Sequence, residues 1–140
     1  MDALENLVKN YQLSKEPANQ VEFDGMVRSA ATKLQDAKLK GLSRDSLFIL
    51  TYGASHALAL AALRWHGYRT EKRYLTFQCL PHTLGLAPSE WRIFDQCHTR
   101  RNLAEYEGHL DIEDALLNAL IDSTKQLLEK VTALGLIDAR

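Results

Sequence analysis

The chain has 140 residues, 46% of them apolar, enough to close one hydrophobic core and too few for two comfortable ones. Its 17 basic and 18 acidic side chains nearly cancel, which excludes the global positive field of a histone-like protein, so any nucleic-acid binding must be local. Two cysteines in segments of helical period are poor material for a disulfide framework and point to a reducing cytoplasm, and the acidic N-terminus lacks the apolar segment of a secretory signal.

Proline and glycine are scarce and fall as punctuation, at Pro17, Gly41, Gly67, Gly85 with Pro88, and Gly108. No segment between them alternates convincingly as a strand. The expected fold is therefore all-α, an up-and-down helical bundle of about five to six helices in one domain over 1–140, with 1–18 as a short N-terminal helix and linker. The first helix would carry Ala3, Leu4, Leu7, Val8 and Tyr11 on one side and stop near 14–17. Asn19 with Glu22 has the spacing of a capping box and opens a stripe of Phe23, Met26, Val27, Ala30, Leu34 and Ala37 that ends at Gly41.

Ser43 is placed to cap the third helix, which is apolar all round and rich in small residues such as Ala54, Ala57, Ala59, Ala61 and Ala62. Small side chains let neighbouring backbones approach, so this helix is predicted to be the centre of the domain. Its uncharged run, 47–63, falls short of the about 20 apolar residues a membrane span needs, and no membrane partner is expected. A fourth helix is predicted over 70–83 and a fifth from Pro88 through His98 and beyond. A sixth follows over 111–134, with Asp111 as its cap, Asp114 in its first turn, and Ile112, Leu116, Ala119, Leu120, Leu127, Val131 and Leu134 as its stripe.

On a helical wheel, Trp91, Phe94, Cys97, His98, Arg101 and Glu105 share one side of the fifth helix, and Arg100 lies well away from it. A guanidinium among apolar neighbours must be paired, hydrogen-bonded or facing a cleft where an anion binds. An Arg101–Glu105 ion pair one turn apart is the plain reading.

The run Arg101-Asn102-Leu103-Ala104-Glu105-Tyr106, followed by Gly108, resembles the arginine-asparagine segment of the HEPN superfamily. Tyr52-Gly53-Ala54-Ser55-His56-Ala57, continuing through Ala61-Ala62-Leu63 to Gly67-Tyr68, is similar to the Ala-rich helix that these proteins carry upstream. The resemblance implies a bundle of four or five helices, commonly a homodimer with the motif at its interface. In many members it also implies a metal-independent ribonuclease using an arginine and a histidine spaced R-x4-6-H. Here Arg101 takes the arginine position, Asn102 the polar position after it, and Tyr106 the histidine position. A phenol, with a pKa of about 10, can donate to a phosphate but is a poor base at pH 7. His98, one turn before Arg101, and His109, beyond Gly108, are the available substitutes. Residues five apart on a straight helix are rotated by about 140°, so Arg101 and Tyr106 converge only if the helix bends or ends between them, or if a partner subunit supplies one of the pair.

Arg64, Arg69, Lys72 and Arg73 interleave with Trp65, His66, Tyr68 and Tyr74, the combination that holds phosphates and stacks unpaired bases, and Arg100 would extend it. The plainer reading is a solvated turn whose aromatic rings cap the core. Glu105, Glu107, Asp111, Glu113 and Asp114 form an acidic cluster that repels RNA unless it lies at the rim or pairs with a basic stretch of another subunit. Cys79 with His82 and Cys97 with His98 make weak zinc pairs, the first disturbed by Pro81 and the second splayed by about 100° on a helix, so neither metal nor cofactor is expected.

Two functions follow. The first is a HEPN-like protein that binds RNA or a phosphate-bearing ligand at a dimer-interface cleft: Arg101 and Asn102 hold the phosphate, Tyr106 orients it, and His98 or His109 assists, in metal-independent cleavage if the protein is an enzyme. The second is a non-catalytic module that kept the fold and dimerises, or binds a partner protein, through the same face.

Overall fold

The computed structural model describes residues 2–139. In chain order they form α1 (Asp2–Lys9), β1 (Ser14–Lys15), α2 (Gln20–Asp36), α3 (Arg44–Trp65), β2 (Tyr68–Arg69), α4 (Arg73–Gln78), α5 (Leu80–Thr83), α6 (Pro88–Glu107) and α7 (Asp114–Thr132), closing on a 3-10 turn at Ile137–Ala139. The helical bundle read from the sequence is present, and α3 is its centre.

α3 begins where Ser43 Oγ accepts the Ser46 amide at 3.1 Å, a cap that contributes about 1 kcal/mol over alanine. Its buried alanines, 54, 59, 61 and 62, let α2 and α7 lie close against it, and α4, α5 and α6 pack round the rest. At 22 residues it is longer than the uncharged run suggests, and by length and composition it could cross a membrane. Here much of its apolar surface is packed on neighbouring helices, although Ile49 stays exposed.

α2 starts as predicted, with Asn19 Oδ1 accepting the Glu22 amide at 2.9 Å. The Glu22 carboxylate does not close a capping box; it turns to Arg64 and Arg69. The helix ends at Asp36, short of Gly41, because Lys38 and Leu39 donate three residues back, to Gln35 and Asp36, and tighten the chain into a turn.

The single helix expected over 70–83 is two short ones, α4 and α5, hinged at Cys79. Pro81 explains the break, since it has no amide hydrogen to continue the ladder of α4 but suits the first turn of a new helix. α6 opens on Pro88, with Glu90 reaching back to accept the Ala87 amide at 2.8 Å. It closes at Gly108, whose φ of +78° is left-handed and whose amide donates to Ala104 at 2.9 Å.

α7 is capped at Glu113, not at Asp111. Arg44 fixes this start by pairing with Asp114 and donating to the Ile112 carbonyl at 2.6 Å, so the first turns of α3 and α7 are tied together. Leu117 and Thr124 join Leu120, Leu127 and Val131 on the buried face of α7.

The N-terminal segment departs most from expectation. Tyr11 adopts φ +60° and is exposed, so it is no part of the α1 stripe. The chain then turns to form a two-residue antiparallel pairing, Ser14 with Arg69 and Lys15 with Tyr68, too short to leave an alternating pattern in the sequence. Leu4 and Leu13 pack with Leu63, Tyr68, Leu75 and Cys79 in a second apolar cluster, beside the main core that holds Cys97. Both thiols are free and buried, and burial pushes them up to about 11 for Cys79 and about 12 for Cys97.

Arg64 lies beneath this segment, 2% exposed. Its guanidinium donates to the carbonyls of Glu16 at 2.9 Å, Pro17 at 2.7 Å and Tyr68 at 3.3 Å, and pairs with the carboxylates of Glu22 and Glu16. Arg69 adds bonds of 2.7 Å to Glu16 and to Glu22. Two arginines read as a nucleic-acid surface are therefore clamps that hold residues 16–17 to the bundle, and Arg64 is too deep to touch a ligand.

Candidate functional site

Phe94 and Cys97 face inward on α6 and seat it against the bundle, which places His98, half-buried, over the Tyr52 side chain of α3. One turn further along α3, His56 points to the same region, and α4 contributes Arg73. The floor is Phe77, with no solvent exposure, stacked on Phe94 at 5.8 Å and set edge-on to Tyr52 at 5.8 Å and His56 at 5.9 Å. Aromatic pairs at this spacing hold their rings in fixed orientations.

On that floor Tyr52 Oη lies 2.8 Å from His98 Nδ1, and Asn102 Nδ2 lies 3.2 Å from His98 Nε2. The guanidinium carbons of Arg101 and Arg73 sit 5.5 Å and 5.8 Å from the Tyr52 ring centre, within cation–π range. Arg101 also pairs with Glu105 at 3.0 Å, the bond predicted from their spacing.

Burial, reinforced by Arg73, His98 and Arg101, holds His56 down at about 4. Burial also lowers His98, with Arg101 and Arg73 acting in the same direction and Asp95 opposing them. The Tyr52 phenol is raised by burial, an effect that Arg73 and Arg101 partly offset. At pH 7 the niche thus presents two neutral imidazoles and a neutral phenol between two permanent cations. Such a set can bind an anion and exchange a proton with it.

The sequence reading brought His98, Arg101, Asn102 and Arg73 to notice, and the fold brings these four together. It leaves Tyr106 outside. α6 runs unbroken to Glu107, so the rotation between Arg101 and Tyr106 is kept and the phenol, 93% exposed, faces solvent one turn beyond Asn102. The wheel placed Arg101 deeper than Arg100, yet their side chains are 32% and 33% exposed. They differ in partners, since Arg100 pairs with Glu113 at 2.9 Å while Arg101 lies over Tyr52. Lys72 is exposed and donates to Gln12 at 2.9 Å. His109 is an exposed loop residue 3.9 Å from Glu107. The acidic cluster is largely used within the chain, Glu105 on Arg101, Glu113 on Arg100 and Asp114 on Arg44.

Tyr52 and His56 are the members that sequence reasoning missed. Their signal was an i, i+4 pair of polar rings on a helix otherwise apolar all round, in a segment read only for its small residues. Beside the niche, on the far side of Arg101, a groove of about 350 Å³ runs between α3 and the end of α6, lined by Phe48, Ile49, Ala104 and Leu110 among others.

No protein-family model, curated protein or solved structure matches the chain. Its class is defined by its own fold and chemistry, a helical bundle with a cationic, histidine-bearing niche where α3, α4 and α6 meet.

Proposed function

We propose that this is a HEPN-like RNA-binding protein that grips a backbone phosphate between Arg73, Arg101, His98 and Asn102. The observation that supports the reading is the convergence of these side chains from separate helices on one partly open niche. Arginine keeps its charge at every physiological pH, and its planar fork suits a phosphate's oxygens. Two exposed aromatic residues lie near these groups along the chain, Tyr74 next to Arg73 on α4 and Tyr106 one turn past Asn102 on α6, and each offers a face on which an unpaired base can stack. In this reading Tyr106 serves a base and not the phosphate. The chain's near-zero net charge leaves the attraction local to this site.

Anisotropy with a labelled single-stranded RNA tests the assignment. Arg101→Ala and Arg73→Ala should each weaken binding by about tenfold or more, since a hydrogen bond to a charged group contributes about 1.5–3 kcal/mol. Arg100→Ala, which removes a cation already spent on Glu113, should cost less than about threefold. Equal losses from Arg100 and Arg101, or none, would remove the niche from the binding site.

Cleavage is a second reading, favoured by the neutral imidazole of His98 within the niche, a state suited to taking a proton. Incubation with RNA in chelator decides it: intact RNA leaves a binding module without catalysis.

We propose further that the protein is a homodimer through the groove beside Arg101, because Ile49 stands 65% exposed at its edge next to the apolar wall of Phe48 and Leu110. Sedimentation should show a dimer at micromolar concentration that Ile49→Asp converts to monomer. A strict monomer for the wild type would overturn the dimer.

A further inference from the structure

We infer that RNA binding at this niche is coupled to the uptake of one proton by His98 Nε2, as a phosphodiester oxygen takes the place that the Asn102 amide holds in the free protein. The inference rests on the RNA-binding reading above and deepens it. Both nitrogens of His98 are engaged, Nδ1 by Tyr52 Oη at 2.8 Å and Nε2 by Asn102 Nδ2 at 3.2 Å. With the Asn102 amide in the orientation that places its oxygen toward Arg101, Nδ2 donates, Nε2 is the accepting nitrogen, and the ring's one hydrogen lies on Nδ1, toward Tyr52. Arg101 Nη1, 3.5 Å from Asn102 Oδ1, favours this orientation of the amide by attracting its oxygen end. A phosphodiester oxygen only accepts. It cannot bond to Nε2 in this state, and the bond forms once a solvent proton has been added there.

The surroundings set the sign of the coupling. From α3, Tyr52 and His56 face the ring; from α4, Arg73; from α6 itself, Arg101 and Asp95. Burial and the two arginines disfavour the imidazolium in the free protein, and Asp95 offsets them in part. An anion at Nε2 reverses the local field: it neutralises the guanidinium charges and stabilises the imidazolium through a charge-assisted bond. His56, at about 4, stays neutral and does not compete for the proton near pH 7. Asn102 is exposed and its amide can turn from Nε2 to donate to the phosphate, whereas Tyr52 is buried and fixed, so the ligand takes the amide's place at Nε2 and the Nδ1 bond is kept.

The sign of the pH dependence follows from linkage. His98 has the lower pKa free and the higher one bound, so between those two values the complex holds one proton more than its components. Affinity therefore falls as pH rises through that window, by up to about tenfold per unit, and is flat outside it.

The test is calorimetric titration of the full chain with a single-stranded 2′-O-methyl oligonucleotide bearing a 5′-hydroxyl. Its diesters do not titrate in this range and it cannot be cleaved through a 2′-hydroxyl. Runs at pH 7 in two buffers of different ionisation heat count the protons absorbed, and runs from pH 6 to 8 give the slope. The expected result is an uptake approaching one proton per site, with affinity falling as pH rises. His98→Gln, which keeps a donor but does not titrate, should bind with less than about a twofold change across the same range. Normal binding with no proton uptake by the wild type would mean that a neutral ring changes its tautomer, and would overturn the inference while leaving the RNA reading intact; so would uptake that survives in His98→Gln. Absence of binding at every pH would instead strike the RNA reading itself. The wild-type proton count stands whether or not the variant folds.

Discussion

Arg64→Met is expected to lower the unfolding free energy by about 3 kcal/mol, a shift of roughly 10 °C in the melting midpoint for a chain of this size. Methionine fills much of the same volume, so the cost is polar. The substitution removes charge-assisted bonds to Glu22 and Glu16 and leaves the carbonyls of Glu16, Pro17 and Tyr68 without their donor. The figure sits at the lower end for a broken buried pair because the side chains of Glu22 and Glu16 are 32% and 46% exposed and water can partly replace the lost cation. Urea denaturation followed by circular dichroism measures it. A loss below 1 kcal/mol would show that Arg64 is a passenger in the core and that the strand pairing holds residues 14–17 unaided.

Phe77→Ala should cost about 4 kcal/mol and, under the proposed function, also weaken RNA binding by more than about tenfold, although Phe77 has no solvent exposure. The stability loss comes from deleting a buried ring that packs on Phe94 and leaving a cavity behind. The loss of binding comes from position: the same ring is edge-on to Tyr52 and His56 and lies 6.3 Å from His98, so the cavity loosens the shelf on which the niche is built. Phe77→Leu, which retains most of the volume, should recover the larger part of both. Denaturation and binding measured at a temperature where the variant is folded separate the two effects. Unchanged affinity in folded Phe77→Ala would show that the niche does not depend on its floor.

Helix starts were legible in the sequence where a side chain caps locally. Asn19 and Ser43 bond backbone amides three residues on, a relation that depends on nothing distant. The start of α7 was misplaced by three residues because its position is set by Arg44, 70 residues away from Asp114. The β1–β2 pairing was invisible for the same reason, since two residues carry no periodicity of their own. At the site, His98, Arg101 and Asn102 could be found because they follow one another along α6. Tyr52 and His56 gave only their i, i+4 spacing, because it is the packing of α3 under α6 that turns two rings of an apolar helix into neighbours of a distant histidine. The wheel separated the directions of Arg100 and Arg101 but not their depth, which depends on what stands opposite each of them.

The two cysteines report on opening. Each thiol is buried and held far above neutral, so a thiol reagent meets almost no native thiolate and reacts only when the surrounding packing comes apart. Cys79 belongs to the cluster that seats the N-terminal segment, and Cys97 belongs to the main core under α6. The chain thus carries two internal clocks. The ratio of their labelling rates reports how much more readily the cluster under the N-terminal segment opens than the core that holds Cys97.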